Sequence, residues 1–550
     1  MKNFSRALLA GTLAALAAAA DQTADQAVPD GAATQRIDGT TLAWSLPPTA
    51  RIEGERLIVE VPKGDPERLV EAHAQCTAQL DLSPYLAGGR GLHLSVRVRA
   101  SDVTKPDYRW NGVKCMFRYV SDATGQLAHP GAVLPIGSFD WRTADLHLNF
   151  LNTQGLPIDG KATLVLGLQG CSGRAEFDLS SLSFVSEDVG VPFAEYRDYV
   201  VEYPEGEGPD DLGRRRWRGC MSPGGRYTTE EDVETLHRWG ATLIRYQINR
   251  NWWKLDDNQD LDEYARWVDW RLDNVEDVLR WCETRGMKVC IDLHALPGGK
   301  WGEREREPLE MNMFSDDRYA AAFVDTWRRI ATRFKGHPAL YGYDLVNEPT
   351  QRRPLKHSFW QLQLDAARAI REIDPVTPIV FAGNNASHAD DFRYLVPIPL
   401  NNVIYEVHCY HPHAFTHQGV SGNARSTPEK PITWPGVDPR TGEVWNKDWL
   451  RKKLQPVRDF QLRHKARIFV GEFSAAAWAL GAENYLRDCI DLFEEYGWDW
   501  TYHAFREAPC WDVEQEGETN PEMRPATEDT PRKKALLEGF QRTPALQPGR

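Results

Sequence analysis

Two glutamates, Glu348 and Glu472, each lie where a short apolar run gives way to a loop. Glu348 belongs to the segment YGYDLVNEP (341–349), and Glu472 belongs to RIFVGEFS (467–474). Such runs are typical of buried strands, and catalytic side chains in a (β/α)8 barrel project from the C-terminal ends of the strands. A pair of carboxylates placed in this way is the minimal machinery for cleaving a glycosidic bond. Structural ion pairs at the strand ends are the alternative.

The elements that would position these glutamates alternate along residues 196–543. Apolar strand-like runs are separated by helical patterns, which indicates an α/β fold with a parallel sheet closed as a (β/α)8 TIM barrel. A capping box of Thr228 and Glu231 is expected to begin the first helix, which ends at Gly240. Residues 544–550 are predicted to form a frayed tail. The eight predicted strands are 218–221, 242–248, 288–294, 340–346, 378–382, 402–408, 467–471 and 498–504.

Residues 36–190 have a different pattern, in which apolar and polar residues alternate with a period of two. Examples are LHLSVRV (92–98) and ATLVLGL (162–168). This alternation predicts half-buried antiparallel strands, and no long helical pattern interrupts them. A β-sandwich of the jelly-roll kind preceding the barrel is therefore expected.

The composition limits the partners and cofactors. The net charge of −14, without a long acidic run, argues against nucleic acid, which favours a basic face. The chain has 20 Trp, 18 Tyr and 20 Phe. Most of these are expected in the core, and the rest could stack on sugars. The nine cysteines are odd in number and lack zinc-site spacing, so they are predicted to be mostly buried thiols.

The first 20 residues are typical of a secretory signal peptide. Lys2 and Arg6 form a basic region, residues 7–20 are small and apolar, and a cleavage site precedes Asp21. The apolar run is too short to span a bilayer. We therefore expect a secreted or periplasmic monomer that has no membrane contact. A buried N-terminal helix is the alternative.

Residues 196–543 resemble glycoside hydrolase family 5, whose members are retaining enzymes built on a (β/α)8 barrel. The resemblance rests on Asn-Glu-Pro at the end of the fourth strand together with Gly-Glu-Phe at the end of the seventh. It implies that Glu348 is the general acid/base, that Glu472 is the nucleophile and that no cofactor is required. Segments 137–141 and 166–170 also resemble jelly-roll carbohydrate-binding modules. Sugar binding and a purely structural role both remain open for the sandwich.

Five further residues have expected roles around the two glutamates. Arg245, at the end of the second strand, could hold Glu472 ionised, although a structural salt bridge is the alternative. Asn347 could bond the sugar 2-hydroxyl. The resemblance implies that Tyr410 donates to Glu472 and that His408 lies near the acid/base. His294 closes the third strand and could bond substrate or Asn347.

One position departs from the family pattern. Family members commonly carry a tryptophan at the end of the eighth strand as a platform under the sugar, and His503 stands there in this chain. Trp511 or Trp478 could supply the platform from a loop. Alternatively, His503 signals a different substrate or subsite. Further candidates for stacking are Trp252, Trp253 and Trp301.

The histidines of HCYHPH (408–413), with His417 nearby, also allow a metal site, because several possible ligands lie close together. The resemblance accounts for His408 and Tyr410 without a metal, so no metal is expected. His411 and His413 could instead line the cleft.

These observations predict a secreted two-domain retaining β-glycosidase. The expected substrate is a β-1,4-linked polysaccharide or oligosaccharide, with endo-acting cleavage of cellulose or mixed-linkage glucan favoured. A β-mannanase or an exo-acting β-glucosidase of the same family is the alternative, because loops rather than the fold select the substrate. A non-catalytic glycan-binding protein is the alternative from another class.

Overall fold

The fold is described from a computed structural model. The signal segment 1–20 and the tail 544–550 lie outside the described residues, as do Trp252 and Trp253. Trp301 is described only through its backbone. Among the described helices, none combines the length and the apolar character that crossing a membrane requires. The described residues are 35–36, 39–63, 77–78, 91–106, 111–153, 155–187, 191, 193–211, 213–250, 258–301, 310–420, 423, 425–439 and 441–542.

The N-terminal part contains two antiparallel sheets, as the alternating pattern predicts. Apolar residues of every second position face inward, for example Leu92, Leu94 and Val96. The first sheet contains Gln35–Arg36, Ala50–Glu53, Arg56–Val61, Gly91–Val103, Gly137–Leu148 and Gly173–Glu187. The second contains Trp44–Ser45, Thr77–Ala78, Gly112–Val120, Leu127–Ala128 and Lys161–Gln169.

Eight parallel strands then close into a barrel, which confirms the predicted (β/α)8 architecture. Numbered within the barrel, they are β1 (Arg218–Met221), β2 (Leu243–Gln247), β3 (Lys288–Asp292), β4 (Leu340–Asp344), β5 (Ile379–Ala382), β6 (Val403–Cys409), β7 (Arg467–Phe473) and β8 (Asp499–Tyr502). The long helices are α1 (Glu230–Trp239), α2 (Leu261–Glu283), α3 (Asp317–Phe334), α4 (Phe359–Arg371), α5 (Lys447–His464), α6 (Ala482–Tyr496) and α7 (Pro531–Phe540). Short helical turns, Asn384–Ser387 and Ala389–Arg393, follow β5.

The start of α1 differs from the prediction by one residue. Thr229, not Thr228, caps the helix, and it exchanges hydrogen bonds with Asp232 in a capping box. The reason is Asn274 on α2, whose side-chain amide pairs with both the N–H and the carbonyl of Thr228. This pairing holds Thr228 outside the helix, a contact between distant parts of the chain that local sequence cannot show.

The sandwich packs on the barrel at the loops that follow β4 and β5. Asn149 Nδ2 donates to the Arg352 carbonyl at 3.3 Å, and the rings of Phe150 and Tyr394 lie 4.7 Å apart. Phe150 and Leu151 are buried in the same apolar core as the barrel helices. The N-terminal part therefore supports the face of the barrel on which the strands end.

The eight cysteines of the described residues, a set that leaves out Cys76, are buried. Their burial agrees with the prediction, and a buried cysteine packs as a small apolar side chain.

Candidate active site

The predicted catalytic residues meet at the C-terminal end of the barrel. Glu472 lies within β7, Tyr410 follows β6 directly, and Glu348 lies on the loop after β4. Glu348 has a φ of 49°, which is the left-handed region that side chains other than glycine rarely adopt. Backbone strain of this kind concentrates at functional sites, where the surrounding structure holds it in place.

The two glutamates are close enough to act on one bond. An oxygen of Glu348, an oxygen of Glu472 and a ring nitrogen of His408 all lie within 4.8 Å of one another. Retaining glycosidases hold their two carboxyl groups roughly 5–5.5 Å apart, whereas inverting enzymes need about 6.5–9.5 Å to admit a water. The spacing therefore fits direct attack by a carboxylate.

Arg245 organises the floor of this site from inside the barrel. Its fully buried guanidinium donates from Nη1 to Glu472 Oε1 at 3.0 Å and from Nε to Asp344 Oδ2 at 2.7 Å. Nη2 lies 3.0 Å from Glu406 Oε1 and 3.4 Å from Asp292 Oδ1. One cation thus faces four carboxylates, an arrangement that the planar, multiply donating guanidinium can satisfy better than an ammonium.

The surroundings of Glu472 favour its ionised form. Burial alone would raise the pKa of Glu472, but the positive charges of His408, His503 and Arg245 outweigh it and hold the pKa well below its usual range. Tyr410 adds a hydrogen bond from its hydroxyl to Glu472 Oε2 at 2.9 Å. A carboxylate with these partners is suited to act as a nucleophile.

Asn347 is fixed by a chain of hydrogen bonds. His294 Nδ1 lies 2.8 Å from Asp292 Oδ2, which places the ring hydrogen on Nδ1. His294 Nε2 then accepts from Asn347 Nδ2 at 3.0 Å, while Asn347 Oδ1 accepts from Arg245 Nη2 at 3.1 Å. These contacts agree with the expected pairing of His294 with Asn347, and they orient the amide at the edge of the site.

His408 connects Glu348 to a buried carboxylate. Its Nδ1 lies 3.0 Å from Glu348 Oε1, and its Nε2 lies 3.4 Å from Glu406 Oε1. Burial alone would lower the pKa of His408, but the charges of Glu472 and Glu406 and the bond to Glu348 raise it well above the usual value. Protonated His408 can donate from Nδ1 to Glu348 and from Nε2 to Glu406.

Gly471, the glycine of Gly-Glu-Phe, stands at a position that has no room for a side chain. A Cβ at this position would lie 1.8 Å from Glu406 Oε1. Only a residue without a side chain lets Glu406 reach both Arg245 and His408.

His503 lies beside the glutamate pair. Its Nδ1 is 2.7 Å from the Tyr410 hydroxyl and 3.7 Å from Glu472 Oε2. The ring of Trp511 lies 5.3 Å from the His503 ring and 6.3 Å from the Tyr410 ring. Trp478 instead donates from its indole to the Gln418 carbonyl. Of the two candidate platforms, Trp511 is therefore the one whose ring adjoins His503 and Tyr410.

Sequence reasoning missed a set of polar residues that hold the site together. Three of them, Asp292 in β3, Asp344 in β4 and Glu406 in β6, could have been found from the sequence. A carboxylate inside an apolar strand is unusual and must be paired. Two further residues gave no local signal, because they meet only through the fold, with Gln247 Nε2 donating to Glu507 Oε2 at 2.8 Å. The missed residues are Asp292, Asp344, Glu406, Gln247 and Glu507.

Two clusters in the described part of the chain have spacing that could suit a metal ion. The first is the group of Glu348, His408 and Glu472, whose members are already paired with one another. The second contains His388, Asp390 and His411, and Arg393 already pairs with its carboxylate at 2.6 Å. The predicted histidine cluster is thus divided, because His408 faces the glutamates and His411 faces away from them toward His388.

A closed eight-stranded barrel that presents a close carboxylate pair at its C-terminal end fits a glycoside hydrolase. Residues 210–508 match Cellulase (glycosyl hydrolase family 5). The chain therefore belongs to glycosyl hydrolase family 5, as the two glutamate motifs predict.

Several characterised proteins are similar to this chain. Endoglucanase C of Acetivibrio thermocellus is 28% identical over 300 residues, covering 50% of this chain and 84% of that protein. Cellodextrinase A of Ruminococcus flavefaciens is 27% identical over 197 residues, covering 36% and 55%. Among solved structures, a glycoside hydrolase has a TM-score of 0.47 at 23% identity, covering 59% of this chain and 99% of that one. An endoglucanase of Thermotoga maritima has a TM-score of 0.43 at 21% identity, covering 59% and 96%.

Proposed function

We propose that this protein is a retaining endo-β-1,4-glucanase that acts by double displacement. The observation that carries the proposal is the pair of glutamates in different surroundings. Glu472 is held ionised by Arg245, Tyr410 and nearby imidazolium groups, whereas the side-chain donor that Glu348 meets within the described residues is His408. Two carboxyl groups with separate proton states are what acid/base and nucleophilic roles require.

In the first step, Glu472 attacks the anomeric carbon while Glu348 gives its proton to the departing glycosidic oxygen. In the second step, Glu348 removes a proton from water, which attacks the same carbon and releases Glu472. The amide of Asn347, fixed by His294 and Arg245, is placed to bond the sugar 2-hydroxyl in the transition state.

The proposed substrate follows from the relatives. Endoglucanase C and Cellodextrinase A both carry names that point to β-1,4-linked glucose chains. Cellulose and mixed-linkage glucan are therefore the proposed polymers, and β-mannan or a short exo-cleaved oligosaccharide remains the alternative. Trp511 is the proposed platform residue, and Trp253 and Trp301 are proposed to stack on further sugar rings.

Sugar release from a substrate panel tests this proposal. The panel contains carboxymethylcellulose, barley β-glucan, glucomannan, galactomannan, xylan and small aryl glycosides, with the Glu348→Gln/Glu472→Gln double variant as the blank. Activity on the first two and none on galactomannan supports the endoglucanase. Activity on galactomannan would make the protein a β-mannanase instead. Activity only on aryl glycosides would make it an exo-acting β-glucosidase. Binding without release from any substrate would indicate a glycan-binding protein.

Replacing Glu348 with glutamine should have an effect that depends on the leaving group. On β-glucan, kcat should fall by about 100-fold or more, because the sugar oxygen leaves poorly without a proton. On a dinitrophenyl β-cellobioside, which needs no acid, formation of the glycosyl-enzyme should persist and added azide should restore turnover. Initial rates on the two substrates measure this difference. Equal losses on both substrates, without azide rescue, would remove Glu348 from the acid/base role.

We also propose that the protein is exported after removal of residues 1–20 and that it acts as a monomer without a cofactor.

For the sandwich, the contacts of Asn149 and Phe150 with the barrel loops favour a role in structural support. A sugar-binding role remains the alternative. Affinity electrophoresis of residues 21–550 and of the Trp141→Ala variant in β-glucan gels distinguishes them, because Trp141 is the tryptophan of the module-like segment 137–141.

A further inference from the structure

His503 is held at both ring nitrogens. Nδ1 lies 2.7 Å from the Tyr410 hydroxyl, and Nε2 lies 3.5 Å from Glu507 Oε2. Glu507 is itself fixed by Gln247, which donates to the same oxygen at 2.8 Å. The ring therefore has a defined orientation, and this orientation connects it through Tyr410 to Glu472.

The hydrogen atoms that connect Glu472, Tyr410, His503 and Glu507 can be assigned from donor and acceptor chemistry. The Tyr410 hydroxyl carries one hydrogen but has two neighbours, Glu472 Oε2 at 2.9 Å and His503 Nδ1 at 2.7 Å. If the hydrogen is donated to Glu472, then Nδ1 must carry a hydrogen of its own and donate it to the Tyr410 oxygen. Only the imidazolium form supplies this hydrogen together with the one that faces Glu507.

Neutral His503 gives a different arrangement. Its one hydrogen stays on Nε2, where ionised Glu507 can accept it, and Nδ1 presents a lone pair to Tyr410. The lone pair then competes with Glu472 for the hydroxyl hydrogen. The protonation state of His503 thus decides whether the nucleophile keeps its hydrogen bond from Tyr410.

We propose that His503 is a positioning residue for the nucleophile, and that its protonated form keeps the Tyr410 hydroxyl hydrogen on Glu472. This inference rests on the proposed retaining mechanism, and the hydrogen bond from Tyr410 to Glu472 affects the second step of that mechanism. There the bond from the anomeric carbon to Glu472 breaks, and its electron pair returns to the carboxylate. A donor already aimed at that oxygen stabilises the charge as it forms.

The charges around His503 favour the protonated form. Glu472 on β7, Glu507 on the loop after β8 and Glu348 on the loop after β4 all face it, while Tyr410 and the Trp511 ring enclose it. Burial alone would lower the pKa of His503, but the charges of Glu472 and Glu507 outweigh it and raise the pKa above the usual value. The switch to neutral His503 is therefore expected above the ordinary titration range of histidine while Glu472 is charged. In the glycosyl-enzyme, where Glu472 is an uncharged ester, Glu507 is the carboxylate that still faces Nε2.

The pH dependence of kcat on a dinitrophenyl β-cellobioside isolates this switch. Breakdown of the glycosyl-enzyme limits turnover of such a substrate, and in that step Glu348 acts as a base, so its ionisation does not slow the reaction at high pH. An alkaline fall in kcat then reports another group. We expect this fall in the wild type, and in His503→Asn we expect it to disappear, because the asparagine amide can donate to Tyr410 at every pH.

His503→Phe removes the donor altogether. We expect kcat to fall by about tenfold or more, the loss of one charge-assisted hydrogen bond, with KM falling in parallel and kcat/KM unchanged. This pattern follows because slower breakdown accumulates the glycosyl-enzyme without affecting its formation. A packing role alone would change kcat/KM instead.

Glu507→Gln supplies a second test that leaves His503 in place. Removing the charge of Glu507 should lower the pKa of His503 and move the alkaline fall in kcat by about one pH unit toward neutral. Glu518→Gln, on the same loop and 89% exposed, is the matched control and should leave the profile unchanged. Circular dichroism confirms that each variant is folded.

Two results would overturn the inference: an alkaline fall in His503→Asn identical to that of the wild type, or a profile of Glu507→Gln that matches the control. Failure of the proposed function has a separate signature. A wild type that shows no initial burst of dinitrophenol, or that inverts the anomeric configuration, would contradict the retaining mechanism whatever the variants do.

Discussion

Replacing Glu472 with glutamine should abolish turnover while leaving the fold and substrate binding nearly intact. The glutamine fills the same space and can still accept from Arg245 and bond Tyr410, but it cannot form the glycosyl-enzyme. We expect kcat on β-glucan to fall by about four orders of magnitude or more, the scale of losing a covalent nucleophile. The measurements are initial rates, affinity for cellopentaose and the thermal midpoint, with Glu518→Gln as the control for removal of one carboxylate.

Azide rescue separates the two glutamates chemically. In Glu472→Gly, azide can enter the space of the lost carboxylate and attack from that side, so the expected product is an α-glycosyl azide. In Glu348→Gly, the glycosyl-enzyme still forms, and azide attacks it from the opposite side to give a β-glycosyl azide. The reverse pattern would exchange the two assignments, and rescue of neither variant would remove both residues from these roles.

Replacing Arg245 with methionine should damage both stability and activity. Four carboxylates would remain around a buried site without their shared cation, and removing one partner of a buried charge pair costs about 3–5 kcal/mol. Activity should be lost as well, because Asn347 and Glu472 both lose a donor. Urea unfolding and initial rates measure the two effects. The stability and the activity of Arg245→Lys should lie between those of the wild type and of Arg245→Met, because an ammonium restores the charge but cannot reach every acceptor.

The loss of stability in Arg245→Met should depend on pH in a defined direction. Without the cation, burial and mutual repulsion raise the pKa of the carboxylates above their unfolded values, so the folded variant binds more protons than the unfolded chain. Its stability then falls as the pH rises through the raised pKa values. The variant should be closer to the wild type at pH 5 than at pH 8. An equal difference at both pH values would show that these carboxylates do not depend on Arg245.

The glutamate pair and its nearest neighbours could be predicted because their signals are local. Glu348 and Glu472 each follow an apolar strand in a short motif, and Tyr410 and His408 lie within two residues of each other at the end of β6. Arg245 was predicted to hold Glu472, and the fold places the two groups 3.0 Å apart.

Other parts of the site depend on contacts that the sequence does not display. Glu406, a carboxylate in the middle of an apolar strand, acquires its role only when β2, β6 and β7 meet around Arg245. Glu507 lies on an irregular segment after β8, and only the barrel brings it to Gln247 on β2. The stacking roles of Trp253 and Trp301 stay predictions, because one residue lies outside the described chain and the other is described through its backbone alone.

The measurement that tests the central claim most directly is the anomeric configuration of the first product. Proton NMR of wild-type enzyme with cellopentaose, recorded before mutarotation, distinguishes the two anomers of the newly formed reducing end. We predict that the β-anomer appears first and then equilibrates, because Glu472 and water each invert the same carbon once. Initial release of the α-anomer would contradict the assignment of Glu472 as nucleophile and of the pair as a retaining site.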